Sequence, residues 1–130
     1  MALPLLIDTS AWVEAMRRQG DEATRNAVYT ALTNGRARFC DIVRLELWNG
    51  IGDERERKWL REVEQAVETV PTDTSVWLEA RRLAQESRRK GLTVPSTDIL
   101  IEACSRAHKL EVLHRDSHFD RLASIPPAVP

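Results

Sequence analysis

Cysteine is scarce: Cys40 and Cys104 are the only two in the chain. They form no CxxC pair and sit among apolar residues, which favours two buried free thiols in a cytosolic protein over a disulfide. Long apolar runs are missing too. No stretch approaches the roughly 18 uncharged residues of a membrane span, and the short apolar start lacks the basic segment of a signal peptide. The expectation is a cytoplasmic protein that does not use a membrane. Lysine is rare, with only Lys58, Lys90 and Lys109 among nineteen basic residues. A net charge of −1 argues against a protein held to nucleic acid by bulk charge alone. It leaves room for a local arginine rim, and arginine suits bidentate phosphate contacts. No glycine-rich run precedes a Lys-Ser or Lys-Thr pair, so a P-loop is absent. No GxSxG elbow is present either.

What remains is an ordinary composition, 42% apolar and 30% charged over 130 residues. That suits one domain, expected over residues 1–124, with a proline-rich tail over 125–130. Leu5-Leu6-Ile7 is a continuous apolar run, the mark of a central parallel strand, and Asp8 stands at its carboxyl end. Thr9 or Ser10 is expected to cap a helix to Arg18, and a second helix spans Glu22 to Thr33. Arg36 to Cys40 reads as a strand, and Asp41 as the cap of a helix carrying Val43, Leu47 and Ile51 on one face. Asp53 to Glu68 is a charged amphipathic helix with Glu54 placed to pair with Lys58. Thr69-Val70-Pro71 is at most an edge strand. Val76 to Lys90 is a helix with Trp77, Ala80, Leu83 and Ala84 inward. Ser96 or Thr97 caps a deeply packed helix ending near His108. Glu111 to Arg115 is the last strand, and a brief helix follows over Phe119 to Ala123. Strands alternate with helices, so the class is α/β with a mostly parallel sheet.

In such a sheet, strand ends and helix starts gather at one edge, where ligands bind. Asp8, Glu46, Asp98 and Asp116 all fall in that setting, and Asp120 lies one turn beyond Asp116. Crowded carboxylates repel and demand compensation. Hard divalent cations supply it, and they also activate water against a phosphodiester. The acids therefore read as a metal-dependent nuclease site. Arg81, Arg82, Arg88 and Arg89, with Lys90, form the most basic patch and the best local candidate for holding a phosphate backbone. Arginines at a helix C-terminus also complement its dipole. His114, Asp116 and His118 alternate, which would suit a transition metal if they faced one way, although histidine beside a strand end is usually solvated or hydrogen-bonded.

Four stretches together carry a resemblance. Leu6-Ile7-Asp8-Thr9-Ser10-Ala11-Trp12, Leu45-Glu46-Leu47, Ser96-Thr97-Asp98-Ile99-Leu100-Ile101-Glu102-Ala103, and Val112-Leu113-His114-Arg115-Asp116-Ser117-His118-Phe119 occur in that order. The chain from Leu5 to about Leu122 resembles the PIN-domain family, and within it the VapC-type toxins of toxin–antitoxin pairs. The resemblance implies a three-layer α/β/α sandwich with a mostly parallel central sheet. It implies Mg²⁺ or Mn²⁺ at Asp8, Asp98 and Asp116, with Glu46 acting directly or through water. Ser10 would support a carboxylate or water, and Asp120 matches a position that is only sometimes acidic. It also implies endonucleolytic cleavage of RNA, a homodimer, and a VapB-type antitoxin lying over the acidic cleft and a groove near Trp48 and Trp59. The family usually has Thr or Ser where this chain has His114. A PIN-like scaffold that has lost catalysis and only binds a protein partner is the alternative, and the complete acid set argues against it.

Receiver and dehalogenase-like phosphoryl-transfer domains also place an Asp at a strand end. The first would need an acid pair near its start and a lysine on the last strand; the second needs an acid where this chain has Ser10.

Overall fold

The computed structural model describes residues 3–129. Met1, Ala2 and Pro130, the outer ends of the two expected segments, lie outside the described residues. Four short strands are present: β1 (Leu5–Ile7), β2 (Ala37–Phe39), β3 (Glu68–Thr69) and β4 (Glu111–Leu113). All pair in parallel, in the order β3-β2-β1-β4. Leu5 stands opposite Ala37 on one side and Glu111 on the other. Strand β1 is therefore central, and Leu6 and Ile7 are fully buried.

Seven helices fill the connections: α1 (Thr9–Met16), α2 (Glu22–Thr33), α3 (Asp41–Asn49), α4 (Glu54–Ala66), α5 (Thr74–Arg89), α6 (Ser96–Ala107) and α7 (Ser117–Leu122). The chain moves outward from β1 to β2 to β3, then returns past both to β4. With the right-handed crossovers that parallel strands adopt, this reversal puts α5 and α6 on the face opposite the earlier helices. It also makes the gap between β1 and β4 the point where strand order switches, the usual ligand position in such sheets.

Aspartates start most of the helices. Asp8, Asp21, Asp53, Asp73 and Asp116 each accept a backbone N–H at the N-cap of α1, α2, α4, α5 and α7. Asp8 thus takes the cap expected of Thr9 or Ser10. Helices α3 and α6 begin without a side-chain cap, after Cys40 and Pro95, so Asp41, Ser96 and Thr97 do not cap as expected.

Helix α1 stops at Met16, short of Arg18, and α4 stops at Ala66, freeing Glu68 for the edge strand. Glu54 pairs with Arg57 at 2.5 Å rather than with Lys58. The inward face of α5 also differs: Trp77 is 53% exposed and Ala84 is exposed, while Val76, Leu83 and Ser87 are buried. Helices α5 and α6 leave a groove of about 360 Å³ lined by Trp77, Arg81, Ala84 and Leu100.

The core is continuous, and its largest member is the fully buried Trp12. Its ring packs on Phe39 at 4.9 Å between centroids and meets Trp59 edge-on at 6.0 Å. Cys40 and Cys104 are buried, free and in contact, as the sequence suggests for two thiols. Ile125 is also in the core at 1% exposure, and residues 126–129 are exposed.

Candidate metal centre

The site is assembled from the carboxyl ends of β1 and β4, the first turns of α1, α6 and α7, and the second turn of α3. Asp8 is 2% exposed. Its backbone N–H is held by the Leu113 carbonyl at 3.0 Å, which locks β1 to β4 at this point. Its Oδ1 accepts from the Ala11 backbone at 3.1 Å, and the Ser10 hydroxyl lies 2.8 and 2.9 Å from its two oxygens. Burial pushes the Asp8 carboxyl above its usual range, and Ser10 and the backbone donors pull against that. Ser10 Oγ in turn accepts the backbone N–H of Arg115 at 2.9 Å, and Arg115 pairs with Asp21 at 2.6 Å. The end of β1, the loop after β4 and the start of α2 are thereby tied together.

Asp98 sits in the first turn of α6 and is 8% exposed. Its Oδ2 has no hydrogen-bond partner. Burial, then the neighbouring Asp116 carboxylate and more distantly Asp8, push its pKa up to about 7, against a smaller pull from His118. Asp116 caps α7 and is held below its ordinary value: burial opposes ionisation, but the His118 backbone N–H, Asp98 and the His118 ring outweigh it. His118 Nδ1 stands 2.8 Å from Asp116 Oδ1 and 3.1 Å from Asp98 Oδ2. Among the described residues, Asp98, Asp116 and His118 are the group whose ligand atoms all lie within 4.8 Å of one another.

Glu46 is half-buried on α3, and its Oε1 accepts from the Thr9 hydroxyl at 2.7 Å. It stands beside the tight group rather than in it. Asp120 does not join: its side chain is 77% exposed and faces His114 Nε2 at 3.8 Å. His114 lies outside the converging group among the described residues, so the alternation of His114, Asp116 and His118 does not make one metal face. Its ring stacks on Phe119 at 5.0 Å, and its Nδ1 accepts the Asp116 backbone N–H at 3.3 Å. The imidazole thus orients Asp116 from the position where a Thr or Ser is usual in the resemblance.

The arginines of α5 are partly engaged. Arg82 grips Glu79 at 2.6 and 3.0 Å, and Arg89 grips Glu86 at 2.8 and 2.6 Å. Arg81 and Arg88 are exposed and, among the described residues, have no ion-pair partner. Trp48 and Trp59 are half-buried, donating to Glu64 at 3.1 Å and to the Tyr29 hydroxyl at 3.2 Å. Two contributors escaped sequence reasoning: Thr9, whose partner Glu46 is 37 positions away, and Arg115, which reaches back to Ser10 and Asp21. No spacing rule signals either contact.

Comparison with known proteins agrees with this arrangement. The sequence pattern described as the PIN domain matches residues 5–125. Ribonuclease VapC11 of Mycobacterium tuberculosis is 33% identical over 125 residues, covering 93% of this chain and 92% of its own. Ribonuclease VapC51 of the same organism is 30% identical over 128 residues, covering 96% and 89%. Among solved structures, VapBC2 of Rickettsia felis, bound to a promoter DNA fragment, superposes with a TM-score of 0.78 at 18% identity, covering 92% of each chain. VapBC-5 of Mycobacterium tuberculosis gives 0.69 at 23% identity, covering 93% of this chain and 91% of that one. The structural likeness at these identities concerns the fold, a parallel-sheet α/β architecture.

Proposed function

Since the chain belongs to the PIN domain family, we propose that it is an endoribonuclease that works with Mg²⁺ or Mn²⁺ and serves as the toxin of a toxin–antitoxin pair. The observation that carries this reading is the buried Asp98 carboxyl, with one oxygen unpartnered, set against Asp116 and near Asp8. Like charges are gathered there at an electrostatic cost that the His118 ring offsets only in part. The donor set fits a hard divalent cation: several carboxylate oxygens, one of them without a protein donor.

Asp8, Asp98 and Asp116 are the residues that would hold the ion, with Glu46 beside them. Such an ion, when bound, activates water and stabilises the charge of an in-line displacement at phosphorus. Ser10 keeps both Asp8 oxygens aimed and links them to the loop after β4. Thr9 occupies one Glu46 oxygen, which leaves Oε2 to hold a water or accept its proton. Within the basic patch of α5, Arg81 and Arg88 are the exposed cations without an ion-pair partner among the described residues and would hold an RNA backbone; Arg82 and Arg89 would have to exchange their glutamates first. Two relatives named as VapC ribonucleases, and neighbours solved as VapBC complexes, support RNA as substrate and a VapB-type protein as partner. A homodimer and a cytoplasmic location belong to the same reading, as does one nuclease domain over residues 1–124. Among the described residues no helix is long and apolar enough to cross a membrane.

The test is RNA cleavage by purified protein, freed of any bound partner, with Mg²⁺, Mn²⁺ or EDTA. Metal-dependent cleavage that falls to background in Asp98→Asn is the expected result. No cleavage with either metal, by folded protein on a broad RNA mixture, would overturn the nuclease reading in favour of a binding scaffold.

A further inference from the structure

We propose that His118 is a direct nitrogen ligand of the metal, so that the centre is a mixed carboxylate–imidazole site selecting Mn²⁺ over Mg²⁺. This rests on the metal-dependent reading above and deepens it.

Three atoms carry the argument. His118 Nδ1 is 2.8 Å from Asp116 Oδ1 and 3.1 Å from Asp98 Oδ2. Neighbouring ligand atoms around an octahedral ion with bonds of about 2.1 Å lie roughly 3 Å apart. The spacing is thus that of ligands sharing one ion. It is also the spacing of an ion pair when the ring is protonated, yet neither Nδ1 nor Asp98 Oδ2, both buried atoms, has a partner in hydrogen-bonding alignment. The ring nitrogen and the oxygen approach each other without the line-up that an N–H donor requires. Atoms that converge without pairing point to a third party between them. The burial of Asp98 adds to this, because at 8% exposure its carboxyl has little access to water in compensation.

The ring is also held for the purpose. His118 is the second residue of α7, and its backbone N–H is fixed by Asp116 Oδ1 at 2.9 Å. One aspartate therefore positions the histidine and shares its ion. His114, the other histidine nearby, is excluded by its stacking on Phe119 and its bond from the Asp116 backbone.

The chemical consequence is selectivity. Mg²⁺ takes oxygen ligands and gains little from imidazole, whereas Mn²⁺ accepts nitrogen more readily. A second role for the ring, as a proton-bearing counter-charge between two carboxylates, predicts no bond to the ion.

Electron paramagnetic resonance of the Mn²⁺-loaded protein separates these. The expected result is ¹⁴N coupling of a bound imidazole in the wild type, replaced by ¹⁵N coupling when histidine alone is isotopically labelled. In His118→Gln the coupling should vanish. Its Mn²⁺ affinity should fall about tenfold or more, with Mg²⁺ affinity within about threefold of wild type. Mn²⁺ bound without nitrogen coupling would overturn the ligand assignment and leave the nuclease reading standing. No binding of Mn²⁺ or Mg²⁺ at millimolar levels would overturn both. Should His118→Gln fail to fold, the isotope exchange in the wild type decides alone, since His108 is engaged with the Pro71 carbonyl at 2.8 Å and His114 is stacked.

Discussion

Asp98 meets opposing demands in the folded protein. Its pKa is about 7 there, against 3.8 for an ordinary aspartate. Between those two pH values the folded state keeps a proton that the unfolded chain has released, so protonation favours folding. In EDTA, stability should therefore fall as pH rises from about 4 to about 7, then level off above 7. Asp98→Asn removes that slope. At about pH 8 in EDTA, thermal denaturation should find it melting roughly 3–6 °C above wild type. A variant that melts lower at that pH, or that keeps the wild-type slope, would show that burial of this carboxyl is not a strain on the metal-free fold. The same substitution is expected to abolish cleavage, which would set stability against activity at one residue.

Helix α5 shows where side-chain packing decides the buried face. Its polar pattern allows two stripes one residue apart, one through Trp77, Ala80 and Ala84, the other through Val76, Ala80, Leu83 and Ser87. The second is buried, and the large Trp77 is left in the groove beside α6. Leu83 is fully buried, so Leu83→Ala should cost about 2–5 kcal/mol in urea denaturation. Ser87 Oγ is buried with no partner, so Ser87→Ala should be neutral or add up to about 1 kcal/mol. A clear loss of stability in Ser87→Ala would mean that the hydroxyl is satisfied in solution. The element order was readable in advance because β1 is a continuous apolar run, β2 and β4 are short segments between turn signals, and each helix has its own period. The exact starts were not, because Asp, Ser and Thr stand side by side at the helix entrances and any of them can cap. The convergence of Asp98 and Asp116 was readable from a helix start and a strand end at one sheet edge, whereas Asp120 points to solvent and Glu46 stands beside the group. The Thr9–Glu46 bond joins two helices far apart in sequence, and only their packing brings them together.

At the scale of the whole molecule, the metal centre links elements that share little sequence neighbourhood. Asp8 belongs to the start of the chain, Asp98 to the face across the sheet, and Asp116 to its last third. An ion held by all three, as proposed above, would bind the folded state and have no comparable site in the unfolded chain. Mn²⁺ at about a hundred times its dissociation constant should therefore stabilise the protein by about 2.7 kcal/mol, seen as a higher melting temperature. The shift should disappear in Asp98→Asn. An unchanged melting temperature at saturating metal would mean that the ion does not bridge these elements.

Asp8 and Asp116 each cap a helix with the same carboxylate that faces the metal centre. Asparagine caps a helix about as well as aspartate. One transition in the first codon base converts either residue, leaves the fold almost undisturbed and removes the charge. If the product is the toxin proposed above, that makes inactivation a single step with no misfolding burden. Populations released from the need for the toxin should accumulate Asp→Asn at these caps ahead of deletions and frameshifts that leave aggregating fragments.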